Sequence, residues 1–217
     1  MKVGNFELEV VGEPRKGSFA RVHEVKDQSL AALRRQLAES QALLGDFLEL
    51  YQIHSATLES GVLEDRAVLA ELNRLRERGL RIGLSVSGPR QAEVIERALA
   101  VAVDGVNPFQ SVQATWNLME PSAGPALAEA HAAGWGVIIK EALANGRLAD
   151  RDTVAIGAAL ANPWADVVLS GAVTRDQLLS NVQAPQTHPM DAELSSLEQL
   201  AEPRDQYWRE RSQLHWT

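Results

Sequence analysis

From Ser29 onward the chain alternates short apolar runs with longer segments in which apolar residues recur at helical spacing. The segment SLAALRRQLAESQALLG (29–45) places its leucines near a helical repeat, and Asp27 or Ser29 can cap its start. Gly45 supplies the stop signal of that predicted helix. The short apolar run FLELYQIH (47–54) then predicts a strand. An alternation of strand and helix therefore starts at this point.

The same unit of strand and helix repeats about every 25 to 35 residues as far as residue 183. The predicted strands cover 47–54, 81–88, 105–117, 136–143 and 165–173. The predicted helices cover 29–45, 64–79, 89–103, 123–134, 152–163 and 174–183. Proline cannot donate to a strand ladder, so Pro108 confines the pairing of the third strand to its later part.

Strict alternation of strand and helix predicts a parallel sheet with right-handed crossovers. Such a sheet is either open and doubly wound or closed into a barrel. The chain lacks the Gly-x-Gly-x-x-Gly turn that an open dinucleotide-binding sheet usually carries. Polar residues instead follow several predicted strands, as in barrels, whose chemistry is assembled at the strand ends. These residues are His54, Ser85, Gln113, Lys140, Glu141 and Ser170. The pattern favours an α/β fold of the (β/α)8 TIM-barrel type, incomplete with about six βα units, and the open sheet stays the alternative.

The two ends of the chain depart from this unit, although we expect residues 1–217 to form a single domain. Residues 6–25 alternate apolar and polar positions around the turn GEPRKG, which predicts an inserted hairpin. The C-terminal tail (186–217) contains a predicted helix at 191–200, followed by Tyr207, Trp208 and Trp216. Large aromatic side chains of this kind are expected to pack against the barrel wall.

Composition narrows the classes of partner. The 217 residues carry 21 Lys and Arg against 29 Asp and Glu, a net charge of -8, which repels nucleic-acid phosphates. There is no cysteine, so disulfides and thiolate zinc sites are excluded, and the five scattered histidines predict no metal site. The apolar runs are too short for a membrane helix, and the N-terminus has no apolar signal segment. We therefore expect a soluble, cytoplasmic protein that is not a general nucleic-acid binder.

Four segments, taken together and in order, resemble the aldo-keto reductase family. They are DFLELYQIHS, RIGLSVSGPRQ, FQSVQATWNL and VVLSGAVTRDQLLSNV, and the resemblance runs from about Ser29 to Asn181. It implies an oxidoreductase that uses NADP or NAD to reduce an aldehyde or ketone to an alcohol.

The resemblance also implies roles for individual residues. His54 would orient the substrate carbonyl, while Ser85 and Gln113 would hold the nicotinamide carboxamide. Lys140 and Glu141 stand where the family has an aromatic residue that stacks on the nicotinamide; either Lys140 reaches a phosphate or the two form an ion pair without a catalytic role. The adenosine half would lie among Gly171, Ala172, Val173, Thr174, Gln177 and Asn181. Independently of the family, a helix that begins near Thr174 offers amides and a positive dipole end to a phosphate.

Trp116 is a candidate for a substrate-facing aromatic residue, and a packed loop tryptophan is an equal alternative. Lys2 matches a lysine that assists the family's catalytic tyrosine. That tyrosine is a general acid whose pKa a lysine and an aspartate lower, and neither the tyrosine nor the aspartate has a counterpart here. The chain thus resembles the C-terminal three-quarters of the family, as a truncated or shortened form. The alternative is a non-catalytic barrel that binds a cofactor or a protein, and exposed sheet edges predict a homo-oligomer.

Overall fold

The first helix begins at a side-chain cap and ends at a glycine, as the sequence predicts. The computed structural model describes residues 6–10, 22–186, 197 and 199–214, and for 6–10 and 22–26 the backbone alone. The side chain of Ser29 accepts a hydrogen bond from the Ala32 amide, and Asp65 caps the second helix in the same way. Gly45 ends the first helix with φ of 53°, a left-handed conformation that glycine adopts at little cost.

The elements follow one another in the predicted alternation. The strands are β1 (Phe6–Val10), β2 (Val22–Lys26), β3 (Leu50–Ala56), β4 (Arg81–Val86), β5 (Ser111–Thr115), β6 (Gly136–Lys140) and β7 (Val167–Val168). The helices are α1 (Leu30–Leu44), α2 (Arg66–Glu77), α3 (Gln91–Leu99), α4 (Gly124–Ala132), α5 (Asp152–Leu160), α6 (Arg175–Gln183) and α7 (Arg204–Ser212). From β3 to α6 each strand is followed by a helix, which confirms the predicted α/β class.

The chain divides into two compact units, of which the first comprises Met1–Ser85 and Val101–Pro108. Its β1 and β2 pair antiparallel, with Phe6 opposite Lys26. The turn between them lies outside the described residues, so the inserted hairpin stays a prediction. Strands β3 and β4 are neighbours. The buried side chains of this unit include Leu33, Tyr51, Ile53, Leu72, Ile82 and Leu84.

The second unit comprises Val86–Ala100 and Phe109–Thr217. Its strands β5, β6 and β7 are parallel neighbours in chain order. The register places Thr115 opposite Lys140 and Ile139 opposite Val168. The segments that follow β5 and β6 therefore start side by side, at the carboxyl ends of the strands. The prediction of a single domain stays a prediction.

The later elements differ from the sequence patterns in extent. Strand β5 is confined to the part after Pro108, as expected, whereas β7 keeps only two residues of the predicted 165–173. The tail has a helix, α7, later than the predicted 191–200, most of which lies outside the described residues. Tyr207 and Trp208 of α7 are buried as expected, and Trp216 lies outside the described residues. In the described part of the chain, no helix combines the length and the apolar character that crossing a membrane requires.

Candidate functional site

A cleft of about 460 Å³ lies in the second unit, where the segments after β6 and β7 meet the starts of α5 and α6. Its size is within the range of small-molecule sites. Six of the residues that the sequence predicts to contact a cofactor line it: Glu141, Gly171, Ala172, Val173, Gln177 and Asn181. Residues that lie more than 30 positions apart in the chain are thus brought to one cavity.

Glu141 follows β6 directly and is fixed on both its backbone and its side chain. Its backbone is left-handed, with φ of 58°, and its carbonyl accepts a hydrogen bond of 3.0 Å from Asn117 Nδ2. Its carboxylate accepts hydrogen bonds from Arg211 Nε at 2.9 Å and Arg211 Nη2 at 2.5 Å. Burial raises the pKa of Glu141, but the Arg211 hydrogen bonds and the charge of Lys140 outweigh it and lower that pKa to about 2. Glu141 is therefore an anion with a fixed position in the cleft wall.

Lys140 forms the ion pair that was one of its two predicted alternatives. Its Nζ lies 3.6 Å from Glu141 Oε1 and donates a hydrogen bond of 2.5 Å to Ser87 Oγ. Its side chain is only 12% exposed. Lys140 is not among the residues that line the cleft.

The start of α6 is closed by a capping box. Thr174 Oγ1 accepts a hydrogen bond from the Gln177 amide, and Gln177 Oε1 accepts one from the Thr174 amide and one from the Val173 amide. The Ala172 amide donates to Ser170 Oγ at 3.2 Å. Three of the amides in 171–174 that were expected to meet the adenosine half thus donate within the protein. The amides of Arg175 and Asp176 belong to the same helix start and are not used by the box.

Asn181 connects the elements around the cleft. In the amide orientation that pairs both ends, its nitrogen donates to Asp152 Oδ2 and to the Gln177 carbonyl, each at 3.2 Å, and its oxygen accepts from Ser170 Oγ at 2.8 Å. Asn181 is buried. Its amide therefore joins α6 to the start of α5 and to the segment after β7, and it shapes the cleft that it lines.

In the first unit, Ser85 and His54 lie at the ends of adjacent strands. Ser85 is buried, and its Oγ accepts a hydrogen bond of 2.9 Å from the Ser55 amide. Ser55 has φ of 48°, a left-handed conformation that is uncommon for serine. The His54 carbonyl accepts a hydrogen bond from Gln28 Nε2 at 2.9 Å. Ser85 thus fixes the strand end that carries His54, a positioning role that the sequence did not suggest.

The other predicted residues lie apart from the cleft lining. Gln113 is buried in the middle of β5. Trp116 is buried with its ring edge against Trp164, at 5.8 Å between centroids, and it lines a separate apolar cavity of about 330 Å³. Lys2 lies outside the described residues. The roles predicted for these residues stay predictions.

Sequence reasoning missed Asn117 and Arg211, which hold Glu141. Asn117 is buried, and its Nδ2 also donates to the Tyr207 hydroxyl at 3.0 Å. An asparagine two residues after a strand is a signal for such a turn, since its side chain bonds nearby amides; Asn117 Oδ1 accepts from the Met119 and Glu120 amides. No sequence signal pairs Arg211 with a residue 70 positions earlier. Within the described ranges, no three His, Asp or Glu side chains form a group that could hold a metal ion.

Solved structures resemble this chain over most of its length. The holo form of an aldo-keto reductase from Bacillus halodurans matches with a TM-score of 0.66 and 20% identity, over 93% of this chain and 72% of its own. The apo form of the same enzyme gives a TM-score of 0.62 and 18% identity, over 79% and 69%. A Pseudomonas aeruginosa protein whose name assigns it to the aldo-keto reductases gives 0.62 and 27%, over 76% and 62%.

The sequence itself matches no protein-family model and no curated protein. The present chain spans between 62% and 72% of the length of these three structures. Five parallel strands, each followed by a helix, agree with that partial coverage. The chain therefore has an aldo-keto reductase-like fold, a parallel α/β fold of the TIM-barrel type that is incomplete.

Proposed function

We propose that this chain binds a nicotinamide dinucleotide in the cleft of the second unit and that it is an oxidoreductase of the aldo-keto reductase type. The observation that carries the proposal is the convergence of six residues, chosen from sequence for cofactor contact, on one cleft. The fold of the solved neighbours supports the same class. The substrate would be an aldehyde or ketone, reduced to an alcohol.

The residues present fit part of a dinucleotide. A Cβ at Gly171 would have no heavy atom within 4 Å, so the cleft is open at this position. The start of α6 supplies amides and a positive dipole end for a phosphate. Gln177 would hold the ribose or phosphate side through its Nε2 donors, since its Oε1 accepts from the Val173 and Thr174 amides. When bound, the reduced cofactor would supply the hydride.

The charges of the lining favour NAD over NADP. Among the described residues that line the cleft there are two carboxylates, Glu141 and Asp152, and neither lysine nor arginine. Arg211 and Lys140, the two cations paired with Glu141, do not line the cleft, so the carboxylate of Asp152 would repel the additional phosphate of NADP there. We therefore propose NAD as the preferred cofactor, with NADP bound more weakly.

Neither tyrosine of the chain has the properties of a general acid that would donate a proton to the substrate. Burial raises the pKa of both Tyr51 and Tyr207 to about 12, whereas a phenolic general acid needs a pKa drawn toward neutrality. His54 is kept as the proposed contact of the carbonyl oxygen, and Lys2 as a remnant of the acid system, on the resemblance alone. This observation favours the second candidate function, a cofactor-binding module without turnover.

Titration of the purified chain with NADH and NADPH, followed by fluorescence and calorimetry, tests the proposal. We expect saturable binding, stronger for NADH, that Gly171→Trp weakens at least about tenfold by filling the cleft. Val182→Trp is the matched control, since it adds the same bulk to an exposed position of α6 outside the cleft lining. Failure of a folded sample to bind either cofactor would contradict the proposal and support an interaction module.

A reductase assay on an aromatic aldehyde separates the two candidate functions. A missing general acid lowers a rate by roughly 10²–10⁴-fold, so an enzyme should give slow turnover above the protein-free background, whereas background turnover by a chain that binds NADH would support the cofactor-binding module. Robust turnover that His54→Ala abolishes would favour the enzyme. Robust turnover that survives this variant would show that the predicted role of His54 is wrong.

A further inference from the structure

One wall of the cleft has a strained backbone that contacts within the segment hold only in part: the Ala144 amide donates to the Glu141 carbonyl at 2.9 Å, and Asn145 Nδ2 donates to Glu141 Oε2 at 3.3 Å. We call residues 141–147, which follow β6, the wall segment; four of them line the cleft besides Glu141. Glu141, Ala144 and Asn145 are left-handed, with φ of 58°, 47° and 56°. A left-handed conformation costs roughly 1–2 kcal/mol at residues such as Glu141 and Ala144, and less at an asparagine, so the segment persists only where its surroundings hold it.

Helix α7 holds the first residue of the wall segment through Arg211. The two hydrogen bonds from Arg211 to the Glu141 carboxylate form a fork, and the two side chains are only 17% and 15% exposed. A two-point contact of this kind fixes orientation as well as distance. The guanidinium also lies over the Trp208 ring, 5.3 Å from its centroid, which fixes the arginine from its other side.

The last residue of the wall segment is held by a second pair of opposite polarity. Here the wall segment supplies the arginine: Arg147 donates to both carboxylate oxygens of Glu202, at 2.9 Å for Nη1, and lies 3.5 Å from Glu210. The two ion pairs are therefore at opposite ends of the wall segment, and each holds its own end.

Apolar contacts fill the space between the two ion pairs. Tyr207 and Trp208 of α7 are buried in one cluster with Ala144 of the wall segment. Asn117 joins the two sides, because its Nδ2 donates to both the Tyr207 hydroxyl and the Glu141 carbonyl, each at 3.0 Å. No residue of α7 lines the cleft itself, so the helix affects a ligand there through the elements it packs against, which are the wall segment and α5 at Ala155.

From these contacts we infer that α7 is a brace that sets the shape of the cofactor cleft, and that Arg211 is its positioning residue. The inference deepens the proposed function, since it concerns the site proposed for the dinucleotide. Arg211 acts on a bound dinucleotide through Glu141 and has no role in the chemical step. Loss of the brace frees the left-handed wall segment and lowers affinity without removing a group that touches the ligand.

Hydrogen–deuterium exchange of the free protein tests the brace without any ligand. We expect Arg211→Ala to raise exchange in residues 141–147 roughly tenfold, through local opening, while exchange in β5 and β6 stays unchanged. Arg211→Lys keeps the charge but not the fork and should restore protection in part. Arg209→Ala is the control, an exposed arginine of the same helix. Unchanged exchange of the wall segment in Arg211→Ala would overturn the inference.

Cofactor titration of the same variants supplies the second readout. We expect Arg211→Ala to weaken NADH binding about tenfold, a typical coupling between a site and a remote contact, and Arg209→Ala to leave it unchanged. If Arg211→Ala does not fold, Glu202→Gln is the milder variant, since it weakens only the pair with Arg147. It should likewise raise exchange around Arg147 and weaken NADH binding. Faster exchange without dinucleotide binding in any protein would reject the proposed function and uphold the brace. Faster exchange with unchanged NADH affinity would refute the role of the brace in binding.

Discussion

Glu141 follows strand β6, lines the cleft and binds helix α7. Its carbonyl binds Asn117, its carboxylate binds Arg211, and its backbone lies in a region where non-glycine residues are rare. Strain of this kind is held by surrounding contacts and concentrates at functional sites. The stability of the cleft wall therefore depends on the charge of one carboxylate.

At the residue scale, we predict an acid-dependent loss of stability that Glu141→Gln removes. The pKa of Glu141 falls from an ordinary 4.5 to about 2, so its ionised form stabilises the folded chain above about pH 4.5, and this contribution is lost as the pH falls toward 2. Each pKa unit corresponds to about 1.4 kcal/mol, which limits the effect to about 3 kcal/mol.

Urea unfolding at a series of pH values measures this contribution. Between pH 4.5 and 2, the unfolding free energy of Glu141→Gln should fall less steeply than that of the unmodified chain. Asp150→Asn, which removes an exposed carboxylate, should keep the steeper slope. Parallel curves for all three proteins would show that Glu141 is not held as an anion by Arg211 and Lys140.

At the scale of the element, α6 depends on its cap. Its sequence RDQLLSNVQ buries only Asn181, so packing contributes little and the capping box contributes much. We predict that Thr174→Ala lowers the unfolding free energy by about 1 kcal/mol, because it removes the side-chain acceptor at the Gln177 amide. Thermal unfolding followed by circular dichroism measures the change.

The matched control for this prediction is Thr174→Ser, which retains the hydroxyl and should leave the unfolding free energy almost unchanged, because serine is at least as good an N-cap as threonine. The two variants also report on the cleft, since Gln177 lines it. Equal stability of the Thr174→Ala and Thr174→Ser proteins would mean that the cap does not stabilise α6.

At the scale of the whole molecule, apolar side chains remain exposed along β7 and α6. They are Val167, Leu169, Val173, Leu178, Leu179 and Val182. Among the described strands, β7 is last in the order and pairs only with β6. An open strand edge beside exposed apolar residues favours association with other chains, so we predict that the isolated chain self-associates.

Sedimentation velocity over a range of protein concentrations measures this association. The double variant Leu178→Lys and Val182→Lys should shift the chain toward the monomer, because it places charge in the exposed stripe. Leu43→Lys, which charges an exposed residue of α1 in the first unit, should leave the association unchanged. A monomer at every concentration would contradict the prediction.

Much of the fold and part of the site were predictable from sequence, because local patterns encode them. Alternating apolar runs and helical repeats predicted the strands and helices, and polar residues after the strands predicted where chemistry would be assembled. The cap at Thr174 is likewise a local signal. The resemblance of four segments then selected the family-like fold that the solved structures support.

The tertiary structure alone decided which of these residues share a cavity and what holds them there. Arg211 and Glu141 are 70 positions apart, and no periodicity within either segment relates them. The left-handed wall segment depends on contacts from α7, and the amides of Val173 and Thr174 just before α6 donate to Gln177. Local sequence sets the preferences of each element because those interactions are short in range. The geometry of the cleft follows from long-range packing and ion pairs, which exist only after the elements have come together.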